Sequence, residues 1–296
     1  MSENEIAALR ALLTSRPRPN SVAERRERLD ALGHAYSTAA DIQLKPVSAD
    51  GVPAEWSIAP GADASRVLLY LHGGGFSVGS IISHRAMVTE TGRSAGVRTL
   101  AIDYRRTPEH PFPAALDDAL QAYGWLLRQG VQPGQIAIGG DSAGGGLTLA
   151  VMVALRDRGL PLPACGWCIS PWVDMEARGE SYATKASIDP MISKEYILEL
   201  AGWYLGGTEP RAPLAAPVHA DLRGLPPLLI QVGSAETLFD DSIQIVARAG
   251  AADVRVTLDI WPQMIHAWPL FHQQLTDGRR AIVTAGSFIR GLVTTR

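Results

Sequence analysis

The serine best placed for nucleophilic chemistry lies in the stretch GGDSAGGG, residues 139–146. A strand-like run, QIAI, precedes it, and a helix-like run, LTLAVMVAL, follows it. Between a strand and a helix, the pattern G-x-S-x-G predicts a strained turn that lifts the serine hydroxyl clear of the sheet. Gly140 and Gly144 fit this turn because larger side chains would clash where the two elements meet. Ser142 is therefore the candidate nucleophile.

The general base is expected among the histidines, because a serine hydroxyl is a weak nucleophile at neutral pH. Of the seven histidines, three follow Ser142, namely His219, His266 and His272. We select His266 because it comes shortly after the last strand-like run, as the chain order serine, acid, histidine requires. His272 falls in a helix pattern, and His219 precedes the strand that should deliver the acid.

The carboxylate that orients the histidine is expected after the strand-like run PLLIQVG, residues 227–233. Glu236 follows that run, and a glutamate can hold the imidazole tautomer and stabilise its positive charge. Asp240 and Asp241 are alternatives, although both open the next helix, where carboxylates also cap backbone N–H groups. We predict that Glu236→Gln costs far more kcat than Asp240→Asn, and the reverse ranking would assign the acid to Asp240.

A second glycine-rich stretch, LYLHGGGF at residues 69–76, ends another strand-like run. Glycines at such a point let the backbone approach a substrate and direct N–H groups at a developing oxyanion. His72 opens this stretch, and we expect it to hold the glycine turn through hydrogen bonds rather than to act as the base. Asp141, beside Ser142, is expected to pin the serine turn rather than to take part in the chemistry.

The elements that must position these residues alternate from about residue 66 onward. Strand patterns cover residues 66–72, 97–104, 135–140, 164–170, 227–233 and 254–261, and helix patterns cover 83–95, 113–129, 143–158, 240–250 and 278–293. Continuous apolar strands separated by helices predict an α/β fold with a mostly parallel sheet covered by helices on both faces. In such sheets, functional sites lie outside the carboxyl ends of the strands.

Two segments depart from this alternation. Residues 1–40 are helix-like, and residues 175–213 contain SKEYILELAGWYLGG, a helix pattern that ends in two glycines. We expect both segments to pack together as a small helical cap over the site. The hydrolytic core would then have a first part at residues 41–174 and a second part at residues 214–296.

Five motifs together resemble the hormone-sensitive lipase family of α/β-hydrolases, whose bacterial members are mostly carboxylesterases. The motifs are HGGGF, DYRRTPEHPFPAALDDA, GDSAGGGL, SPWVDM and MIHAW, and the resemblance covers roughly residues 40–296. It implies the α/β-hydrolase fold, Ser142 as nucleophile, and the N–H groups of Gly73, Gly74 and Ala143 as the oxyanion hole. The family usually has aspartate where this chain has Glu236, and it suggests a homodimer through the edge of the sheet.

These features predict a serine carboxylesterase that acts on a small-molecule ester and needs no cofactor and no metal ion. We expect short acyl chains, because the family's bacterial members resemble short-chain esterases and a cap limits access. A lactone hydrolase or a dedicated deacetylase of small molecules would use the same residues, so both stay open. A ligand-binding protein without turnover is disfavoured, because the serine, the histidine and a carboxylate are all present.

Composition argues against several other classes of protein. The formal net charge of −3 does not favour nucleic acid or an anionic membrane as a partner. No apolar run approaches the ~20 residues of a membrane helix, and the first residues do not resemble an export signal, so we expect a cytoplasmic protein. The two cysteines, Cys165 and Cys168, are too few for a disulfide scaffold and have no second CxxC with which to bind zinc. We interpret them as small buried residues.

Overall fold

A computed structural model describes residues 2–15 and 17–293 of the chain. Within these residues, eight strands form one sheet: Gln43–Ala49 (β1), Val52–Ile58 (β2), Asp63–Leu71 (β3), Val97–Ile102 (β4), Ile136–Asp141 (β5), Cys165–Ile169 (β6), Leu228–Gly233 (β7) and Val256–Trp261 (β8). The helices are Ser2–Thr14 (α1), Val22–Ala35 (α2), Ile81–Ala95 (α3), Ala114–Arg128 (α4), Ala143–Asp157 (α5), Ser181–Thr184 (α6), Lys194–Leu205 (α7), Phe239–Ala251 (α8) and Thr276–Leu292 (α9).

The strand order is β1-β2-β4-β3-β5-β6-β7-β8. β2 runs antiparallel to β1 and β4, whereas β4, β3, β5, β6, β7 and β8 are parallel to one another. Parallel strands need crossover connections, and here helices supply them on both faces of the sheet. The predicted α/β fold with a mostly parallel, doubly covered sheet is confirmed.

Side chains alternate across the sheet and divide the core into two halves. Leu69 of β3 packs in the half that contains α4 and α5, whereas its neighbour Leu68 packs with residues of α3 and α9. Cys165 and Cys168 likewise fall in opposite halves, both buried and unpaired. Burial raises the pKa of the Cys165 thiol to about 12, so it stays protonated at neutral pH. The interpretation of both cysteines as small buried residues is confirmed.

The hairpin of β1 and β2 is the part of the sheet that the sequence patterns missed. β1 is an edge strand with mostly exposed side chains, so it lacks the apolar run that marks the central strands. The turn between the two strands is Asp50-Gly51, and both of its residues have positive φ. An Asp-Gly pair between two strands is a strong hairpin signal, and it could have located this element.

Contacts between the two non-alternating segments come from α2 and the loop before it. Arg25 Nη1 lies 3.0 Å from Glu199 Oε2 of α7, and the Arg18 guanidinium lies 3.6 Å from the ring centroid of Tyr196. α1 packs elsewhere, because its apolar Ile6 belongs to the core half beside α9. In the described part of the chain, no helix has both the length and the apolar character needed to cross a membrane.

Candidate active site

Ser142 lies between β5 and α5 with φ 53° and ψ −122°, a conformation that side-chain-bearing residues rarely adopt. Its backbone is held on both sides, because its N–H donates to Ile169 O at 2.8 Å and its carbonyl accepts from Trp172 N–H at 2.9 Å. A Cβ at Gly140 or Gly144 would collide with backbone carbonyl groups, including that of Leu71. The glycines therefore permit the turn, as the sequence predicts, and Ser142 is 5% exposed.

Glu236 and His266 form a buried pair. Nδ1 of His266 lies 3.2 Å from Oε2 of Glu236, and the two residues are 3% and 0% exposed. Among the described residues, the Ser142 hydroxyl and His266 are not hydrogen-bonded to each other. Such a bond often tightens only when substrate is bound. The structure thus brings the predicted base and acid together, and it places the predicted nucleophile at the carboxyl end of β5, which β6 separates from β7.

The loops that carry the pair are joined through their backbones. Glu236 follows β7 and His266 follows β8, and the carboxyl ends of these parallel neighbours meet at one edge. The N–H of Ala235 donates to Met264 O at 3.0 Å, and that of Ser234 donates to Trp261 O at 2.9 Å. These bonds fix the distance between the two loops before any side-chain contact is counted.

The electrostatics of the pair favour a charged imidazole opposite a carboxylate. Burial raises the pKa of Glu236, and its neighbour His266 lowers that pKa by less, so the pKa stays raised. Burial lowers the pKa of His266, but three neighbouring carboxylates outweigh that effect and leave the pKa raised. They are those of Glu236, Asp189 and Asp141. A carboxylate that stabilises the imidazolium is what a general base needs while it holds the proton of the nucleophile.

Asp240 and Asp241 are the alternative acids, and their carboxylates accept hydrogen bonds from groups other than His266. Oδ2 of Asp240 accepts the Ser181 N–H at 2.9 Å. Oδ2 of Asp241 accepts the N–H groups of residues 173–174 at 2.9 and 3.0 Å, and its Oδ1 accepts from the Tyr182 hydroxyl at 3.1 Å. Burial raises the pKa of Asp241 to about 7. Both carboxylates tie the start of α8 to residues before or within the insertion.

The backbone N–H groups of the glycine loop differ in whether they already have an acceptor. The N–H of Gly73 donates to Asp141 Oδ1 at 3.0 Å, so it already has an acceptor, and its role in the oxyanion hole stays a prediction. The N–H groups of Gly74, Gly75 and Ala143 have no acceptor in the part of the chain that the structure describes. Ala143 opens α5, where the first N–H groups of a helix lack intrahelical partners. The free donors are therefore those of Gly74, Gly75 and Ala143.

Asp141 links the serine turn to this loop, as the sequence predicts. Besides Gly73, its Oδ1 accepts the Tyr70 hydroxyl at 2.7 Å and lies 3.1 Å from Nε2 of His84. Burial would raise the pKa of Asp141, but His84 and Tyr70 outweigh it and leave the pKa lowered. Asp141 is thus a buried anion that pins the turn from within the sheet.

His72 is held as a structural residue. Its Nδ1 lies 2.8 Å from Gly73 O, and its ring stacks on that of Tyr104 with centroids 4.1 Å apart. Burial lowers the pKa of His72 to about 3, so the imidazole is neutral at physiological pH. These contacts agree with the expectation that His72 shapes the glycine turn.

Helix α7 of the insertion packs directly on the glycine loop, which the sequence patterns did not reveal. Tyr204 stacks on Phe76 with centroids 3.6 Å apart and an interplanar angle of 6°. Leu200, one helical turn earlier, lies against Gly75 so closely that a Cβ there would collide with its side chain. The i, i+4 spacing of Leu200 and Tyr204 was a signal for this contact surface, since such residues share one helix face.

A cluster of potential metal ligands lies near the insertion. Asp174, Glu176 and His219 have ligand atoms within 4.8 Å of one another. Both carboxylates already have cationic partners, because Arg178 Nε lies 3.4 Å from Asp174 Oδ2 and Arg211 Nε lies 2.7 Å from Glu176 Oε2. The cluster is therefore an ion-pair network in which a metal ion would meet two arginines.

Comparison with known proteins agrees with the fold. The family model described as α/β hydrolase fold matches residues 68–270. An acetyl-hydrolase of Streptomyces hygroscopicus is 44% identical over 292 residues, covering 98% of this chain and 97% of the relative. An esterase of Acinetobacter venetianus is 32% identical over 265 residues, covering 89% and 87%.

The crystal structure of an esterase from the bacterial hormone-sensitive lipase family superposes with a TM-score of 0.95. The two chains are 47% identical, and the match covers 99% of this chain and 98% of that one. The chain belongs to the hormone-sensitive lipase family of α/β hydrolases. It is a carboxylic ester hydrolase.

Proposed function

We propose that the protein is a serine carboxylesterase that hydrolyses short acyl esters of small molecules through Ser142, His266 and Glu236. The observation that carries the assignment is the buried contact of 3.2 Å between His266 Nδ1 and Glu236 Oε2. It leaves Nε2 of the same ring to accept a proton from a nucleophile. The strained turn at Ser142 supports the choice of nucleophile.

In the proposed reaction, Ser142 Oγ attacks the ester carbonyl carbon while His266 Nε2 takes the hydroxyl proton. The negative oxygen of the tetrahedral intermediate accepts hydrogen bonds from the N–H groups of Gly74, Gly75 and Ala143. Collapse of the intermediate breaks the bond to the alcohol oxygen, which receives the proton from His266. A water molecule then loses a proton to the same imidazole and attacks the acyl carbon. Collapse of this second intermediate breaks the bond to Ser142 Oγ, which takes the proton back from His266, and the carboxylic acid leaves.

The preference for short acyl chains rests on how closely the site is covered. Ser142 is only 5% exposed, and aromatic and aliphatic side chains of α7 lie on the glycine loop beside it. We propose that α2 and α7 together act as a cap over this end of the sheet. A long acyl chain would need space that Leu200 and Tyr204 occupy.

Deacetylation of a small molecule is the second candidate, because a relative that is 44% identical is named an acetyl-hydrolase. The same residues would perform it, so the two candidates differ only in the size of the acyl pocket. A pocket fitted to acetyl would reject each further methylene by about 10-fold or more.

The test is hydrolysis of p-nitrophenyl esters from acetate to palmitate by the wild type and by Ser142→Ala. We expect fast turnover of acetate and butyrate, loss of rate with longer chains, and no turnover by the variant. A fluorophosphonate should label the wild type and leave Ser142→Ala unlabelled. An acetate rate that exceeds butyrate by more than about tenfold would favour the deacetylase. Palmitate as the best substrate would contradict the short pocket, and an inert, unlabelled wild type would contradict the esterase.

A further inference from the structure

Asp189 lies in the insertion between α6 and α7, and each of its carboxylate oxygens accepts two hydrogen bonds. Oδ1 accepts the N–H groups of Met191 and Ile192 at 2.8 and 3.0 Å. Oδ2 accepts the N–H of Thr237 at 2.8 Å and the hydroxyl of Thr237 at 3.1 Å. One side chain therefore organises its own loop and, across the molecule, the loop after β7.

The partner of this contact is the residue next to the proposed acid, since Thr237 directly follows Glu236. The carboxylate of Glu236 has few bonds of its own: among the described residues, neither oxygen makes a well-aligned hydrogen bond. The hydroxyl of Ser170 is near enough to lower the pKa of Glu236, and His266 lies at 3.2 Å. The position of the acid is thus set largely by its backbone. The bonds from Thr237 to Asp189 hold this backbone, together with the bond of 2.6 Å from the Ser181 hydroxyl to Thr237 O.

The charge of Asp189 also reaches the pair. Burial and the interaction between Glu236 and His266 have the largest effects on the two pKa values. Asp189 has a smaller effect and raises the pKa of both residues. The charged groups that face His266 are Glu236, Asp189 and Asp141, which come from three different elements of the fold. Asp189 is the one that the insertion supplies.

We propose that Asp189 is a positioning residue for ester hydrolysis, which fixes the Glu236–Thr237 turn and places a second negative charge near His266. The inference rests on the proposed roles of Glu236 and His266. It gives the insertion a part in the reaction beyond covering the site. Displacement of this segment would loosen the acid at the same time as it opened the way to Ser142.

A carboxylate is needed for this role, because four donors surround Asp189 and each of its two oxygens accepts hydrogen bonds from two of them. In Asp189→Asn, an NH2 group replaces one of the two carboxylate oxygens. That group cannot accept hydrogen bonds from the N–H and O–H donors around it, and the negative charge is lost. The side chain keeps its size and shape. The variant therefore tests bonding and charge with little change in packing.

The experiment measures kcat, KM and the pH profile of kcat/KM for p-nitrophenyl butyrate. The wild type should lose activity on acidification with a midpoint above the ordinary histidine pKa of about 6.5, because protonated His266 cannot accept the serine proton. For Asp189→Asn we expect kcat to fall about tenfold, with KM within about twofold. Loss of a nearby negative charge disfavours the imidazolium, so the acid midpoint should move down by about half a pH unit. An unchanged midpoint would overturn the electrostatic role.

Two further variants separate the roles of charge and bonding. Thr237→Val keeps the carboxylate and its charge but removes one donor, so kcat should fall about threefold at an unchanged midpoint. This variant also tests the inference if Asp189→Asn fails to fold, and an unchanged kcat would overturn the positioning role. Asp240→Asn is the matched control, since Asp240 also accepts an N–H from the insertion but is not among the carboxylates that raise the pKa of His266. A midpoint shift in this control equal to that of Asp189→Asn would show general loosening and overturn the inference.

Glu236→Gln, measured in parallel, separates this inference from the proposed function. If Glu236→Gln keeps the wild-type kcat, the proposed triad is wrong and the role of Asp189 falls with it. If Glu236→Gln loses kcat while Asp189→Asn matches the wild type in kcat and midpoint, only the positioning role is wrong.

Discussion

Glu236 carries a carboxylate in surroundings where an unpaired charge would be costly. It is fully buried, burial raises its pKa, and its close partner is the imidazole of His266. A buried pair of this kind is strongly interdependent, since removing either member leaves the other without compensation. The pair therefore serves the proposed reaction directly, because the positive charge that forms on His266 is stabilised by the negative charge already present on Glu236.

The ranking of two acid variants tests this assignment. Glu236→Gln keeps the volume but presents an amide to Nδ1 of His266, which favours the wrong tautomer, so kcat should fall by about 10³-fold or more. Asp240→Asn disturbs only the bond to the Ser181 N–H. It should cost about 1 kcal/mol of stability and leave kcat within about threefold. Steady-state kinetics and thermal unfolding of both variants check this, and a larger kcat loss in Asp240→Asn would move the acid to Asp240.

At this scale the sequence located Ser142, His266 and Glu236 as candidates, because residue type and position after a strand are local properties. The hydrogen bond that occupies the Gly73 N–H could not be predicted, for a non-local reason. That N–H points to Asp141, which lies 68 residues further along the chain. Which amide of a glycine run stays free depends on such a contact, and the run HGGG does not reveal it.

The elements around the site were predictable where each strand is a buried apolar run followed by a helix. The β1–β2 hairpin was not recognised, because its edge strand is largely exposed and follows no burial pattern. The packing of α7 on the glycine loop depends on where the insertion folds back, so the helix was predictable and its contact was not. That contact couples an element of the insertion to the backbone that would receive the oxyanion.

Shortening a side chain of α7 tests whether this helix limits the acyl chain. Leu200→Ala removes a buried side chain that lies against Gly75, so p-nitrophenyl octanoate should gain in kcat/KM relative to acetate. The cavity should cost about 2–3 kcal/mol of stability. Leu198→Ala is the matched control, because Leu198 lies on the same helix but is 42% exposed. An equal change of selectivity in both variants, or none in Leu200→Ala, would show that α7 does not set the acyl length.

At the scale of the whole molecule, the sheet that the described residues form has two edges, β1 and β8. β1 carries Lys45 and Pro46, residue types that discourage strand addition. β8 instead presents unpaired backbone groups together with Ile260, which is 42% exposed, and α9 beside it exposes Val283. Natural proteins usually cover such an edge, and a two-fold dimer is a common way to do so.

The dimer that the family resemblance suggests is therefore expected to form through β8. Two copies of this edge related by a two-fold axis would pair antiparallel and bury Ile260 against its counterpart. Light scattering should give twice the mass of one chain, and Ile260→Lys, which places a charge in that interface, should give the monomer. Leu160→Lys is the matched control, because Leu160 is also exposed but lies outside β8 and α9, and it should leave the dimer intact. A wild type that is monomeric at micromolar concentration would contradict the dimer, and a dimer that survives Ile260→Lys would place the interface elsewhere.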